Sequence, residues 1–210
     1  MIKIIIADDH EIVRAGLKQI LSDSEDMIVA GEASDGQELL EMVRKNKYDT
    51  ILLDMTMPGR SGLEILKQLK MEKPNIPVLI LSMHPEDQYA VRALKAGASG
   101  YLTKETASDK LVEAIRKVHS GGKYISDTLA ERLADILTHD IDKPPYEILS
   151  DREYEVFRMI ASGKTVSEIA REMFLNVKTI STYRARILAK MNMNNNAELT
   201  HYAIKNNLLD

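Results

Sequence analysis

The sequence of 210 residues contains no cysteine, which excludes disulfides, thiolate metal sites and cysteine nucleophiles. A chain without cysteine fits a reducing compartment. No apolar run approaches the roughly 20 residues of a membrane-spanning helix, and the N-terminus lacks the charged and then apolar pattern of a secretory signal. We therefore expect a cytoplasmic protein that has no membrane partner. Internal repeats and low-complexity tracts are also absent.

The composition is that of an ordinary globular protein, with 44% hydrophobic and 29% charged residues. The length allows two modest domains. The net charge of −4 is unevenly distributed, because six basic residues stand against two acidic ones between Lys164 and Lys190. This local excess of positive charge is suited to contact with phosphates, and the alternative is a solvated helical face.

The first 120 residues alternate short Val/Ile/Leu runs with segments whose apolar residues recur every three or four positions. The pattern predicts five strands at Lys3–Ala7, Ile28–Ala33, Thr50–Asp54, Val78–Leu81 and Gly100–Thr103. It predicts helices near Val13–Leu21, Gln37–Arg44, Leu63–Met71, Gln88–Ala96 and Ser108–His119. Five β-α units imply a parallel sheet with helices on both faces, and short right-handed crossovers favour a doubly wound, flavodoxin-like α/β fold.

The pattern changes after the last of these helices. Gly121 and Gly122 end it, a short helix is predicted from Thr128 to Leu137, and the prolines and mixed charges of Asp140–Pro145 indicate a linker. We predict a first domain over residues 1–120, a linker with a short helix over 121–146, and a second domain over 147–210.

The second domain has only helix signals, which predicts an all-α four-helix unit. Ser150–Glu153 and Thr165–Glu168 match the capping box that opens a helix, and Gly163 ends the first of the two helices. Asn176 is a predicted N-cap for the third helix, and the turn Phe174–Asn176 would complete a helix-turn-helix. The apolar residues predicted to share one side of the third helix are Val177, Ile180, Ile187, Leu188 and Met191.

Polar residues stand where four of the five predicted strands end. They are Asp8 and Asp9, Asp54, Ser82 and Lys104. The carboxyl ends of parallel strands share the edge where such folds bind ligands, so we expect these side chains to converge. Taken singly, each residue has a simpler explanation as a cap, a turn residue or a solvated charge.

The expected cluster suits phosphoryl transfer. Magnesium prefers carboxylate and carbonyl oxygens, and three neighbouring carboxylates repel one another unless a cation intervenes. An aspartate carboxylate is also a competent nucleophile towards phosphorus. Mg²⁺ and Lys104 would neutralise the transferred group, and Ser82 would donate a hydrogen bond to it.

These residues and motifs together resemble a two-component response regulator of the NarL/FixJ group, with a receiver domain and a LuxR-type helix-turn-helix. The receiver residues that carry the resemblance are Asp8, Asp9, Asp54, Ser82, Tyr101 and Lys104. The output motifs that carry it are Leu149–Glu153, Ile160–Thr165, Glu168–Ala170 and Lys178–Ile180. The resemblance covers nearly the whole chain.

The resemblance implies a role for each receiver residue. Asp54 would be the phosphoacceptor, and Mg²⁺ would be held by Asp8, Asp9, Asp54 and the backbone carbonyl of Thr56. Tyr101 would be a switch residue that responds to phosphorylation, whereas its alternative role is packing. The protein would not be an enzyme beyond Mg²⁺-dependent phosphotransfer to itself and autodephosphorylation. A sensor histidine kinase would be the phosphoryl donor.

The resemblance also implies that the third helix enters the major groove of promoter DNA. Base contacts are predicted mainly for Lys178, Ser181, Thr182 and Ala185. Phosphate contacts are predicted for Thr179, Arg184 and Arg186. Leu199, Tyr202 and Ala203 of the last helix, Ala197–Asn206, would pair two copies when the protein is phosphorylated, or would instead close the small core. RNA polymerase is a further partner that this class of function allows.

Three other functions compete with this one. A haloacid-dehalogenase-like phosphatase would need a second carboxylate at position 56, which is threonine. A phosphorylation-independent DNA-binding or interaction module would leave Lys104 and the acidic pair without a use. An RNA-binding output domain suits helices with this spacing less well than duplex DNA does.

Overall fold

A computed structural model describes residues 1–83, 86–138, 144–206 and 208–209. The chain divides into two compact units, Met1–Asp135 and Ile136–Asp210. Each unit is described by itself below. Residues 139–143 of the predicted linker lie outside the described residues.

The first unit is built on five strands, which are β1 Ile2–Ala7, β2 Met27–Ala33, β3 Thr50–Asp54, β4 Val78–Ser82 and β5 Gly100–Thr103. Its helices are α1 Glu11–Ser22, α2 Gly36–Lys45, α3 Gly62–Glu72, α4 Glu86–Lys95, α5 Ala107–His119 and α6 Asp127–Thr138, of which α6 extends past the boundary of the unit. The strands form one parallel sheet in the order β2-β1-β3-β4-β5. This is the predicted doubly wound, flavodoxin-like arrangement, and the prediction is confirmed.

The central strands are apolar throughout because helices cover both faces of the sheet. Every residue of β3 and β4 is buried. On one face, alternate strand residues such as Ile6 and Leu52 pack with Leu17 of α1 and Leu111 of α5. Helices α2, α3 and α4 contact one another in succession, and α3 also contacts β3.

The segment after α5 returns to the edge of the sheet. Gly121 has a φ of 91° and follows the end of the helix, as the sequence predicts. The Tyr124 N–H donates to the Ser99 carbonyl at 3.0 Å, and the Tyr101 N–H donates to the Tyr124 carbonyl at 3.2 Å. Residues 121–135 of the predicted linker therefore group with the sheet.

The second unit contains a short 3₁₀ turn, Pro145–Ile148, followed by α7 Asp151–Ala161, α8 Val166–Glu172, α9 Val177–Met191 and α10 Asn196–Lys205. Both predicted capping boxes are present, and Asn176 accepts a hydrogen bond from the Thr179 N–H at 2.7 Å. Gly163, with a φ of 88°, follows α7. The four-helix prediction is confirmed.

The core of the second unit joins α7, α9 and α10. Phe157 of α7 packs edge-on against Tyr202 with ring centroids 6.4 Å apart. Of the residues predicted to share the apolar side of α9, Ile180, Ile187 and Met191 are buried and Leu188 is half-buried. The prediction is wrong for Val177, which is 50% exposed because it is the first residue of the helix.

Bounds of the helices and strands agree with those predicted from sequence to within two residues. None of the helices in the described part of the chain has the length and apolar character needed to cross a membrane.

Candidate functional site

The predicted acidic cluster forms at the carboxyl edge of the sheet. Asp8 and Asp9 follow β1, and Asp54 ends β3, the strand beside it. The side chains of Asp8 and Asp54 are 1% and 2% exposed, and that of Asp9 is 27% exposed. Ligand atoms of Asp8, Asp9, His10 and Asp54 all lie within 4.8 Å of one another. The sheet therefore brings the three predicted carboxylates together.

Lys104 reaches into this cluster from the end of β5. Its ammonium nitrogen lies 2.6 Å from Asp8 Oδ2 and 3.0 Å from Asp54 Oδ2. Its backbone N–H donates to the Ser82 carbonyl at 2.8 Å, which fixes the lysine to the end of β4. Four strands thus deliver charged and hydroxyl groups to one edge.

The electrostatics of the site are dominated by burial. The pKa of Asp54 is raised from 3.8 to about 6, with desolvation as the largest cause; Lys104 and a backbone hydrogen bond from Thr56 oppose the rise, and the charge of Asp8 adds to it. Burial alone would lower the pKa of Lys104, but Asp54 and Asp8 outweigh it and the pKa is raised. Lys104 is therefore charged, and one ammonium does not fully compensate the carboxylates around it.

The carboxylate oxygens fit a bound cation. Asp8 Oδ2, Asp9 Oδ1 and Asp54 Oδ2 are buried and receive no well-formed hydrogen bond, although ion-pair contacts reach them. Buried carboxylates are costly unless positive charge balances them, and the single Lys104 ammonium leaves an excess of negative charge here. Oxygen ligands of this kind suit Mg²⁺.

The loop after β3 brings the start of α3 close to Asp54. Thr56 is exposed there, and Gly59 adopts a φ of 86°. The first residue of α3 is Gly62, where an added Cβ would lie 2.7 Å from the Asp54 carbonyl oxygen. The helix can approach Asp54 this closely because residue 62 has no side chain.

The other two predicted receiver residues lie on adjacent strands. Ser82 ends β4 and is fully buried. Tyr101 of β5 stands opposite Ile80 of β4 and is also fully buried. Its complete burial differs from the half-buried position of an ordinary packing tyrosine with a hydroxyl in water.

Sequence reasoning missed two residues beside the acidic pair. His10 Nδ1 lies 2.9 Å from Asp9 Oδ1 and 3.2 Å from Asp8 Oδ1. Arg14 donates to the Asp8 carbonyl at 2.7 Å and pairs with Glu32. The signal for His10 was its position directly after Asp9, whereas no local pattern points to Arg14.

In the second unit, α9 presents the predicted outward residues to solvent. The exposed members of the set are Lys178, Ser181, Thr182, Ala185 and Arg186. The hydroxyls of Ser181 and Thr182 donate to backbone carbonyls four residues earlier, at 2.9 Å each. Their oxygens remain acceptors on an exposed helix face.

The remaining two predicted contact residues of α9 are half-buried. The Thr179 hydroxyl donates to Asn176 Oδ1 at 2.9 Å, so it takes part in the cap of the helix. The Arg184 guanidinium donates to Asn196 Oδ1 at 2.7 Å, which ties α9 to the start of α10.

The structure corrects the predicted dimer contacts of α10. Leu199 and Ala203 are fully buried in the core of the unit, so neither side chain presents a surface to a second copy. Tyr202 is half-buried against Phe157. The exposed side of the same helix carries Ala197, His201 and Ile204, with Ile204 62% exposed.

Two sequence families match the chain. The family described as the response regulator receiver domain matches residues 4–116, and the luxR family of bacterial regulatory proteins matches residues 147–203.

Individual relatives match along nearly their whole length. The response regulator UvrY of Escherichia coli K12 is 38% identical over 209 residues, covering 99% of this chain and 96% of that protein. The response regulator GacA of Pseudomonas aeruginosa is 37% identical over 214 residues, covering 100% and 99% of the two chains.

Among solved structures, RcsB from Salmonella enterica serovar Typhimurium, bound to the promoter rprA with the phosphomimetic BeF₃⁻, aligns with a TM-score of 0.66. The sequence identity is 27%, and the alignment covers 96% of this chain and 98% of that one.

Proposed function

The chain belongs to the response regulators that join a receiver domain to a LuxR-type DNA-binding domain, and we propose that phosphorylation of Asp54 controls its binding to promoter DNA. The observation that carries the proposal is the position of the Lys104 ammonium, 3.0 Å from Asp54 and 2.6 Å from Asp8 within a buried acidic cluster. The donor is a sensor histidine kinase. Residues 1–120 form the receiver and 147–210 the DNA-binding domain, and residues 121–146 connect them, of which 121–135 group with the sheet.

Asp8, Asp9 and Asp54, with the Thr56 carbonyl, would hold Mg²⁺, which when bound supplies positive charge to the phosphoryl oxygens. An Asp54 carboxylate oxygen forms a bond to phosphorus while the bond from phosphorus to the donor's histidine nitrogen breaks, and the imidazole leaves. The acceptor must be ionised to attack, and the Lys104 ammonium favours that form. Lys104 then pairs with the phosphoryl oxygens.

The acyl phosphate on Asp54 carries more negative charge than the carboxylate and adds strong hydrogen-bond acceptors. The Ser82 hydroxyl, at the end of the strand next to Asp54, donates to one of these oxygens. Tyr101, buried on the following strand, responds to the movement of Ser82. The surface formed by α4, β5 and α5 thereby differs between the two states.

Helix α9 enters the major groove of duplex DNA. The side chains that contact bases are Lys178, Ser181, Thr182 and Ala185, all of them exposed. Thr179, Arg184 and Arg186 contact phosphates and fix the register of the helix. The RcsB structure bound to a promoter supports duplex DNA as the target.

Phosphorylated copies pair on two-fold symmetric sites. The exposed side of α10, with Ala197, His201 and Ile204, replaces the buried Leu199 and Ala203 as the pairing surface of the DNA-binding domain. Half-sites would lie about one helical turn apart, roughly 34 to 36 Å. Promoter-bound dimers would then act through RNA polymerase.

Labelling by a small phosphodonor tests the acceptor. Wild-type protein incubated with acetyl phosphate and Mg²⁺ should gain one phosphoryl group, and chelation of Mg²⁺ should prevent this. Asp54→Ala should abolish labelling, while Asp26→Ala, which removes an exposed carboxylate paired with Arg116, should not. Undiminished labelling of Asp54→Ala would refute the assignment.

The link to DNA needs a second measurement. Duplexes selected from fragmented genomic DNA by the phosphorylated protein should bind it more tightly than they bind the unphosphorylated protein. Equal affinity in both states, together with normal labelling, would identify a DNA-binding protein that phosphorylation does not regulate.

A further inference from the structure

A cleft of about 340 Å³ lies at the amino ends of β4 and β5, the opposite end of these strands from the acidic cluster. Its walls come from the end of α3, from the loops that lead into the two strands and from the segment that follows α5. Two lysines line the cleft, Lys70 of α3 and Lys123. No carboxylate is among the described residues that line it, so its charged groups are both cations.

Lys70 is a half-buried lysine that the surrounding loops hold in place. An added Cβ at Gly97 would lie 3.0 Å from Lys70 Cγ, so the chain passes close to the lysine stem. The Lys70 ammonium donates to the Ile76 carbonyl at 2.6 Å and to the Pro74 carbonyl at 3.4 Å. Both partners are neutral, and Lys70 forms no ion pair with a carboxylate in the part of the chain that the structure describes.

These surroundings favour the neutral amine. The pKa of Lys70 is lowered, with burial as the largest cause and the charge of Lys123 as the second. A neutral amine has two N–H groups and one lone pair. Because the carbonyls of Pro74 and Ile76 accept the two N–H groups, the lone pair is left for a molecule in the cleft. Desolvation and a neighbouring cation are two conditions that make a lysine nucleophilic.

Lys123 places a second positive charge beside this amine. Its side chain is exposed, and its ammonium donates to the Ala98 carbonyl at 2.6 Å. A lysine ammonium has three N–H groups, so the others remain for the oxygens of an anion in the cleft. Lysine is a common partner of phosphate groups. The cleft therefore combines an amine nucleophile with a binding group for phosphate.

We propose that this cleft is a site of lysine acylation, at which Lys70 takes the acyl group of a small acyl phosphate while Lys123 holds the phosphate group. The Lys70 nitrogen forms a bond to the carbonyl carbon of the reagent, and the bond from that carbon to the phosphate oxygen breaks. Inorganic phosphate leaves with the electron pair of that bond and takes one proton from the nitrogen. The amide that forms keeps one N–H, which can still donate to the Ile76 carbonyl.

Acetyl phosphate is the probe, and the sample is full-length wild-type protein in a chelator of divalent cations. Mass spectrometry of protease fragments follows the acetylation of each lysine with time. Lys70 should be acetylated at least about 5-fold faster than Lys47, an exposed lysine of the loop before β3 that serves as the internal control. Acetylation of Lys70 at the rate of Lys47 or more slowly would overturn the proposal.

Two variants test the part played by Lys123. Lys123→Ala should slow the acetylation of Lys70 at least about 3-fold and leave that of Lys47 unchanged, because the phosphate group loses its partner and the amine is more often protonated. Lys110→Ala removes an exposed charge of α5 outside the cleft and should change neither rate. An unchanged rate at Lys70 in Lys123→Ala would also overturn the proposal.

The test is independent of the proposed phosphorylation of Asp54. The chelator prevents phosphorylation, and acetylation of Lys70 needs no metal ion. Acetyl transfer to Lys70 in the chelator and phosphoryl transfer to Asp54 in Mg²⁺ are separate measurements on the same protein, so the failure of one leaves the other standing.

Discussion

The ammonium of Lys104 lies 3.0 Å from Asp54 Oδ2, at the centre of a buried group of carboxylates. This single cation does not offset the burial of the acceptor, whose pKa is raised to about 6. The metal-free protein therefore holds a negative charge at neutral pH that its surroundings disfavour. The ionised Asp54 carboxylate therefore lowers the stability of the metal-free fold, and a bound divalent cation would offset this cost.

We predict that Asp54→Asn stabilises the metal-free protein at neutral pH. The folded-state pKa of Asp54 is raised above its ordinary 3.8, so its ionisation destabilises the fold as the pH rises from about 4 to about 6. The destabilisation is absent below about pH 4 and complete above about pH 6. Urea denaturation in a chelator should show a difference in unfolding free energy between variant and wild type that grows by up to about 2 kcal/mol from pH 4.5 to pH 7.5.

Magnesium supplies the control for this prediction. Saturating Mg²⁺ should raise the stability of wild type more than that of Asp54→Asn, because the variant has lost a charged ligand. A stability difference between the two proteins that does not change with pH would contradict desolvation of Asp54 as the origin of its raised pKa.

Lys178 is exposed near the start of α9, where it is proposed to contact bases. Lys178→Ala should weaken binding to a selected duplex about 10-fold or more. It should also reduce the preference for that duplex over a scrambled one. Fluorescence anisotropy at fixed salt measures both quantities. Lys205→Ala removes an exposed charge from the end of α10 and is the matched control. Unchanged affinity and selectivity of the Lys178 variant would count against base contact.

The two sides of α10 should respond differently to mutation. Leu199→Ala removes a fully buried side chain and should lower the free energy of unfolding by about 2 to 5 kcal/mol. Ile204→Ser changes a residue that is 62% exposed and should alter that free energy by less than about 0.5 kcal/mol.

Sedimentation of the phosphorylated protein on a two-site duplex distinguishes the roles of the two residues. Ile204→Ser should reduce paired binding while single-site binding is kept. If Ile204→Ser pairs as wild type does, the exposed side of α10 is not the pairing surface.

Phe174→Asn should stabilise the DNA-binding domain by about 1 kcal/mol. Phe174 lies in the turn between α8 and α9 with a φ of 54°, a conformation that costs a bulky residue about 1 to 2 kcal/mol and asparagine less. Because the side chain is 71% exposed, little packing is lost. Thermal unfolding of the full chain measures the effect.

Asn192 provides the reverse test, since it has the same φ of 54° at the end of α9. Asn192→Ala should destabilise the domain. A destabilised Phe174→Asn variant would mean that the phenylalanine makes contacts worth more than the strain of its backbone.

Local sequence patterns predicted most of the helices and strands, because each of these elements depends on residues close together in the chain. The fully buried β3 and β4 are continuous apolar runs, and the capping box of Ser150 needs only the glutamate three residues later. The parallel direction of the strands follows from the helical crossovers that connect them. Convergence of Asp8, Asp54 and Lys104 then follows from the shared carboxyl edge.

Errors arose where periodicity could not tell which partner covers an apolar residue. Leu199 and Ala203 have the spacing of a pairing surface, but α7 packs against that side of α10. Val177 is apolar, but at the first turn of α9 half of its surface is exposed. The contact of His10 with the carboxylates depends on a side-chain orientation that the sequence does not specify.

The backbone bond from the Tyr101 N–H to the Tyr124 carbonyl joins the strand that carries the buried tyrosine to the first residues leading out of the sheet. A sideways displacement of β5 must stretch this hydrogen bond or move the residues around Tyr124 with the strand. In the proposed switch, a movement of β5, an edge strand of the sheet, would therefore reach the segment that follows α5 without any rearrangement of the sheet's interior.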